Sequence, residues 1–149
     1  MRVVVQSAKD ASCIINNEVV SHIDSGFMLL VGFTTGDDIN VLEKVAKKVQ
    51  GLRILPDELG KMNKSLHDVN GEILSISQFT LYGDVKNGYR PSFTEALGGD
   101  LAKPLYEKFN EILRGYGLRV SEGVFGADMQ IKFVNMGPTT ILIDSSNLK

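Results

Sequence analysis

With a single cysteine, Cys13, the chain has no means of stapling itself by an internal disulfide, and a cytoplasmic setting is the expectation. Its two histidines, His22 and His67, stand far apart and share no metal-ligand spacing with Cys13, so no metal site is expected. No apolar run approaches the roughly 20 residues that cross a bilayer. The opening MRVVVQSAKDAS is too short in its apolar part for a secretory leader, so no membrane association is expected. A surplus of positive charge is missing too. The 16 Lys and Arg face 18 Asp and Glu, which argues against a protein that coats nucleic acid indiscriminately and leaves room for a local basic patch. The phosphate loop G-x-x-x-x-G-K-[ST], the fingerprint G-x-G-x-x-G and the nucleophile elbow G-x-S-x-G are all absent. Nucleotide hydrolysis, dinucleotide redox and lipase-type chemistry lose their ground with them.

What is present is a chain of 149 residues, 43% hydrophobic and 23% charged, enough to bury a core in one domain spanning 1–149, with no repeat or linker dividing it. Residues 1–34 read as four short strands, RVVVQ, SCIIN, EVVSHI and GFMLLVGFT, with Asn16-Asn17 as a tight turn. At DDINVLEKVAKKVQG the period changes: Ile39, Leu42, Val45, Ala46 and Val49 gather on one arc, with Lys44, Lys47 and Lys48 opposite. That is an amphipathic helix stopped by Gly51. GDLAKPLYEKFNEILRGYG gives a second helix with Leu101, Leu105, Phe109, Ile112, Leu113 and Tyr116 inward, Pro104 in its first turn and Gly115 or Gly117 at its end. LRVSEG, ADMQIKFVN and TTILIDS supply the last strands. The expected fold is mixed α/β, a curved sheet or β-barrel-like core with the two helices packed outside.

Two stretches depart from ordinary core patterning. Along GEILSISQFTL alternate residues share a face, so the apolar line of Leu74 and Ile76 ends in Gln78 and Thr80. Such an end is either a strand emerging into solvent or the convergent polar groups of a pocket. The loop YGDVKNGYRPSF that follows has the length of a mobile or functional segment. In FVNMGPTTILID, Gly137-Pro138 interrupts residues suited to a buried strand, since proline cannot donate to a ladder and glycine weakens one. Taken alone the dipeptide marks a hairpin turn or a backbone site. A triad could be drawn from Ser65 or Ser77 with His67 and Asp68, but three common residue types permit that drawing in most chains. These read as surface and turn residues.

Together, Ser77-Gln78-Phe79-Thr80-Leu81 and Asn135-Met136-Gly137-Pro138-Thr139-Thr140 resemble the paired signatures of the D-aminoacyl-tRNA deacylase family, which removes mischarged D-amino acids from tRNA. The likeness runs through MRVVVQ, EVVSHIDSGFMLLVG, DELGKMNKSL, GEILSISQFTLYGD, RPSFTEA, LYEKFNEILR, FGADMQ and ILIDS. It implies a homodimer acting on charged tRNA in chiral proofreading for translation quality control, without a cofactor. It also implies a cis Gly137-Pro138 bond that enters the partner subunit's pocket. The family commonly has an arginine, which helps pin the Gly-Pro loop, where this chain has Ser7.

By the same resemblance Gln78 and Phe79 stand where main-chain groups hold the ester carbonyl and the terminal adenosine, and Ser77, Gly137 and Pro138 bind the substrate and select its handedness. Thr80 admits two roles, covalent nucleophile or orienting residue. An aminoacyl ester is already activated, so a placed water and hydrogen bonds to the oxyanion suffice. A threonine nucleophile needs a base, and neither histidine is placed by sequence to serve, which favours hydrolysis assisted by the substrate's own 2′-hydroxyl. Gly137-Pro138 would fill the space an L side chain needs while admitting D residues and glycine. Lys44, Lys47, Lys48, Lys86 and Arg90 are candidate phosphate contacts, although a solvated helix face accounts equally well for the three lysines. Two rivals stand beside this reading. One is a non-catalytic RNA-binding barrel stacking bases on Phe79, Tyr82 and Tyr89, and the other a hydrolase of small D-amino acid esters or peptides.

Overall fold

The alternating apolar residues of the N-terminal region make one long hairpin. In the computed structural model, which describes residues 1–149, β1 (Arg2–Ile15) and β2 (Glu18–Gly32) pair antiparallel across Asn16-Asn17, both at positive φ. The four short strands expected here are therefore two. The polar interruptions that suggested breaks lie opposite each other, Lys9 paired with Ser25 and Ala8 with Gly26. Asp10, at φ 51°, turns the ribbon there without ending it.

A parallel neighbour needs a crossover, and helices supply both of those in this sheet. After β2 come α1 (Ile39–Gly51), a small hairpin of β3 (Leu55–Pro56) and β4 (Met62–Lys64), and the one-turn α2 (Leu66–Val69). They lead to β5 (Glu72–Ser77), which lies parallel to β2. The long α3 (Gly99–Gly115) then returns the chain to β6 (Val120–Glu122), parallel to β5, and β7 (Gln130–Asp144) closes the far side antiparallel to β1. The order is β6-β5-β2-β1-β7, so the sheet has two edges and the barrel alternative is not realised.

Both amphipathic helices cover one face. Val3, Val5, Phe27, Leu29, Val31 and Ile73 from the sheet pack with Leu42, Val45 and Val49 of α1 and Tyr106, Phe109 and Leu113 of α3. Each fully buried side chain of this size contributes about 1.5–3 kcal/mol, so this layer supplies most of the drive to fold. A smaller cluster of Ala8, Ala11, Cys13, Ile23, Met28, Leu74 and Ile76 forms on the opposite face.

Helix α1 matches its periodicity closely. Asp38 caps it, accepting from the Val41 N–H at 3.1 Å, and Lys44, Lys47 and Lys48 are exposed, as is Ile39 in the first turn. In α3 the buried stripe is Ala102, Tyr106, Phe109, Asn110 and Leu113. Leu101, expected inward, sits about 100° off that stripe and is exposed, and Tyr116 lies past the last helical residue. Pro104 falls in the second turn rather than the first.

One glycine is required by the sheet itself. Gly26 has φ +148°, and a Cβ there would overlap the carbonyl oxygen of Glu72 and lie 2.6 Å from its nitrogen, across the β2–β5 ladder. Gly26→Ala should lower stability by about 3 kcal/mol or more, read by urea unfolding. Gly51→Ala, whose Cβ meets nothing within 4 Å at the end of α1, should instead be neutral or stabilising by up to about 1 kcal/mol.

Candidate active site

The ends of β2 and β5 lie side by side, their pairing extended by the Gln78 N–H, which donates to the Val31 carbonyl at 2.7 Å. Beyond these carboxyl ends the chain encloses a cavity of about 580 Å³. Crevices outside the carboxyl ends of parallel strands are where α/β sheets gather ligands. Leu30, Ile76 and Ile131 form its sheet wall, and Gly98, Gly99 and Ala102 bring the start of α3 to it. A helix N-terminus at the wall gives the cavity partial positive charge. Asp128 is its one ionisable lining residue.

Past Ser77 the backbone leaves the sheet. The strand expected over GEILSISQFTL stops there, and Phe79–Tyr82 coil into a 3-10 turn in which the Gly83 N–H donates to the Thr80 carbonyl at 2.9 Å. The alternation of faces is lost with the strand, so Thr80 does not share the face of Leu74 and Ile76. Ser77, Gln78 and Phe79 line the cavity; Thr80 is exposed and does not. Phe79, 56% exposed, meets Phe93 edge to face at 5.1 Å.

Arg2, which the sequence reading passed over, holds this turn in place. Its Nη1 donates to the Leu81 carbonyl at 2.9 Å, its Nε pairs with Asp144 at 3.0 Å, and its guanidinium lies 4.5 Å from the Tyr82 ring centroid. The signal was a lone cation in an apolar strand. Burial pushes the Tyr82 phenol up, with Asp37 and Asp144 adding to the shift and Arg2 opposing it. Tyr82 is thus a buried neutral phenol and cannot stack on a base. Burial also pushes the Asp144 carboxyl up, but hydrogen bonds from Ser146 and Arg2 outweigh it and hold Asp144 below the usual carboxylate range.

Neither histidine reaches the cavity, where Asp128 is the one carboxylate. The ring of His22 lies between Ser12 Oγ at 2.9 Å and Asp24 Oδ1 at 3.1 Å, and His67 Nε2 lies 3.0 Å from Gln50. Ser65 and Asp68 cap α2, the Ser65 N–H donating to Asp68 at 2.9 Å, so Ser65, His67 and Asp68 are surface and turn residues, whereas Ser77 ends β5 at the cavity, away from His67. One grouping has metal-ligand residue types, Asp10, His22 and Asp24. All three are exposed, and both His22 nitrogens are already engaged.

The Gly-Pro segment is a bulge within one strand, not the junction of two. Gln6 pairs with Thr140 and Ala8 with Asn135, so residues 136–139 are forced out of the sheet opposite Ser7. The Gly137-Pro138 bond is cis. Gly137 has φ +115°, and a Cβ there would crowd the Thr139 nitrogen at 2.5 Å. Asn135 Nδ2 closes the base of the loop, donating to the carbonyls of Ser7 and Thr139, each at 3.0 Å. Gln6 Nε2 donates to Asn135 Oδ1 at 3.2 Å, and the Thr140 hydroxyl to the Pro138 carbonyl at 3.2 Å. At the position where the resemblance implies an arginine, Ser7 offers its main-chain carbonyl. The loop is exposed and does not line the cavity of its own chain. Of the remaining candidates, Lys86 and Arg90 share one exposed loop, while Lys44, Lys47 and Lys48 lie on α1.

The sequence model of the family described as D-Tyr-tRNA(Tyr) deacylase matches residues 4–144. A "D-aminoacyl-tRNA deacylase" of Geobacillus sp. (strain WCH70) is 53% identical over 145 residues, covering 97% of this chain and 95% of the relative. One of Thermus aquaticus is 51% identical, covering 98% and 96%. Among solved structures, "c-Myc DNA Unwinding Element Binding Protein" superposes with TM-score 0.90 at 38% identity over 97% of this chain and 98% of that one. The structure titled "Structural Analysis of a probable eukaryotic D-amino acid tRNA deacylase" shares the fold at TM-score 0.83 and 20% identity, covering 95% and 97%. The class is that of hydrolases acting on charged tRNA. Within it, the chain belongs to the D-aminoacyl-tRNA deacylase family.

The amide network at the loop base gives a direct test. Asn135→Ala removes two part-buried donations, so stability should fall by about 1–3 kcal/mol in urea unfolding. Hydrogen exchange at the amides of Met136, Gly137 and Thr139 should quicken in the same variant.

Proposed function

We propose that this chain, as one domain over residues 1–149, hydrolyses the ester of D-aminoacyl-tRNA, and of glycyl-tRNA, releasing amino acid and tRNA in the cytoplasm. It does so as a homodimer in which Gly137-Pro138 of each subunit enters the Ser77–Phe79 cavity of the other. The observation that carries this is a separation: a cavity and a pinned projecting loop occur in one chain and do not meet. A two-fold axis would bring each to the other's copy. Exposed Val134, Met136 and Leu142 on the edge strand that bears the loop support such a contact.

The chemistry asks little of side chains. An aminoacyl ester has a good leaving group, and the main-chain N–H of Phe79, next after the Gln78 N–H that is committed to the Val31 carbonyl, stabilises the oxyanion as it forms. With neither histidine at the wall, water is activated by the substrate's own 2′-hydroxyl, and Thr80 orients the turn from outside the cavity. Ser77 borders the reacting end, and the partner's loop fills the space an L side chain would need. Exposed Lys44, Lys47, Lys48, Lys86 and Arg90 meet phosphates.

Exclusion and recognition part company at glycine. Hydrolysis of D-aminoacyl-, L-aminoacyl- and glycyl-tRNA by the species weighed in light scattering should show a dimer that cleaves the first and third and spares the second. Refusal of glycine beside rapid D cleavage would sink exclusion, and a fully active monomer would sink the shared cavity. Thr80→Ala should keep deacylation within about tenfold of the parent, the cost of roughly one orienting contact. An acyl-threonine trapped by mass spectrometry, with Thr80→Ala dead, would establish the nucleophile instead.

A further inference from the structure

The loop after the 3-10 turn is a built arm rather than a slack connection. Asp84 and Ser92 exchange both backbone hydrogen bonds at 2.8 Å, and the Lys86 N–H donates to Asp84 Oδ1 at 2.9 Å, closing the turn from inside. The next residue, Phe93, lines the cavity and stands edge-on to Phe79 at 5.1 Å. The arm is therefore fastened at its root to the wall of the candidate active site.

At its tip the arm displays Tyr89 fully to solvent, the most exposed of the large hydrophobic side chains at 105%. Its hydroxyl has no hydrogen-bond partner. Its neighbour Arg90 makes no ion pair, and Lys86, paired with Asp84 at 3.2 Å, remains three-quarters exposed. A tyrosine ring flanked by cations on a pinned hairpin is the composition of a stacking platform for unpaired nucleotides: the ring takes a base face and the cations take the backbone. Of the three aromatics that could stack, Tyr82 is buried under Arg2 and Phe79 borders the cavity, which leaves Tyr89 for a base further along the strand. Its distance suits that task. Tyr89 lies four residues from Phe93, at most about 14 Å of extended backbone, and stacked nucleotides advance about 3.4 Å each along a strand, so the reach covers the few unpaired nucleotides of a tRNA 3′ end.

We propose that the Asp84–Ser92 hairpin is an arm that holds the single-stranded 3′ end of the charged tRNA beside the cavity, with Tyr89 stacking on a base and Arg90 meeting the backbone. This rests on the deacylase reading and extends it from the reacting ester to the strand that delivers it.

The test compares two substrates, D-aminoacyl-tRNA and D-aminoacyl-adenosine, the second having nothing beyond the terminal nucleoside for the arm to hold. Tyr89→Ala should raise KM for the charged tRNA about tenfold with kcat little changed, in the range of one lost base stack, while KM for D-aminoacyl-adenosine stays within twofold. Tyr89→Phe, which keeps the ring, should restore the parent KM. Equal KM values for parent and Tyr89→Ala on charged tRNA would overturn the arm and leave the deacylase intact. An equal loss on both substrates would also overturn it, since that places Tyr89 in service of the cavity. A parent protein that cleaves neither substrate would instead remove the deacylase reading on which the arm rests.

Discussion

Everything at the site depends on how β1 pairs with β7. The two strands are in register at both ends of the ladder, Arg2 with Asp144 at one and Ile14 with Gln130 at the other, but β7 is longer than β1 allows between Gln6 and Ala8. The excess has one way out, and residues 136–139 leave the sheet as a closed loop. At the Arg2 end, the same pairing places a guanidinium where it reaches both Asp144 and the carbonyl of Leu81. One strand thus positions the projecting loop and the turn beside the cavity. Rigid elements hold geometry that a loop alone would lose to conformational entropy.

How far the sequence disclosed this depends on the range of the forces involved. Helix α1 was legible because an amphipathic period is local: Leu42, Val45, Ala46 and Val49 sit where spacing alone puts them. The turn at Asn16-Asn17 was legible for a similar reason, since Asn tolerates the positive φ both residues adopt. Strand lengths were not. Lys9-Asp10 and Asp24-Ser25-Gly26 look like breaks in one dimension and become a matched polar step only when the two strands lie together. The Gly-Pro bulge was hidden in the same way, because whether residues form a hairpin or a bulge is decided by the strand opposite. Motif recognition found Ser77, Gln78 and Phe79 at the cavity, whereas alternation misplaced Thr80, which the 3-10 turn carries outward. Arg2 escaped because its partners lie at positions 81, 82 and 144.

The cavity contains little that could titrate near neutrality, with Asp128 the lone ionisable group in its lining and both histidines elsewhere. In the proposed reaction, a site built this way works by fixed dipoles and shape. Such preorganised groups need no reorganisation as charge develops, which suits an ester that is already reactive and whose main hazard is the wrong handedness. Hydrophobic walls around Leu30, Ile76 and Phe125 lower the local dielectric and strengthen each of those dipoles.

The base of the projecting loop has a consequence for packing as well. Asn135 fastens it to Ser7 through the main-chain carbonyl, a group that every amino acid possesses. The other fastenings come from Gln6, Thr139 and Thr140. The side chain at position 7 is therefore released from upkeep of the loop and answers only to the confined space around it, where Ser7 is 6% exposed. A small side chain fits that space without taking part in the fastening. What Ser7 contributes beyond its carbonyl is its small volume in a crowded place, a matter of packing rather than of chemistry.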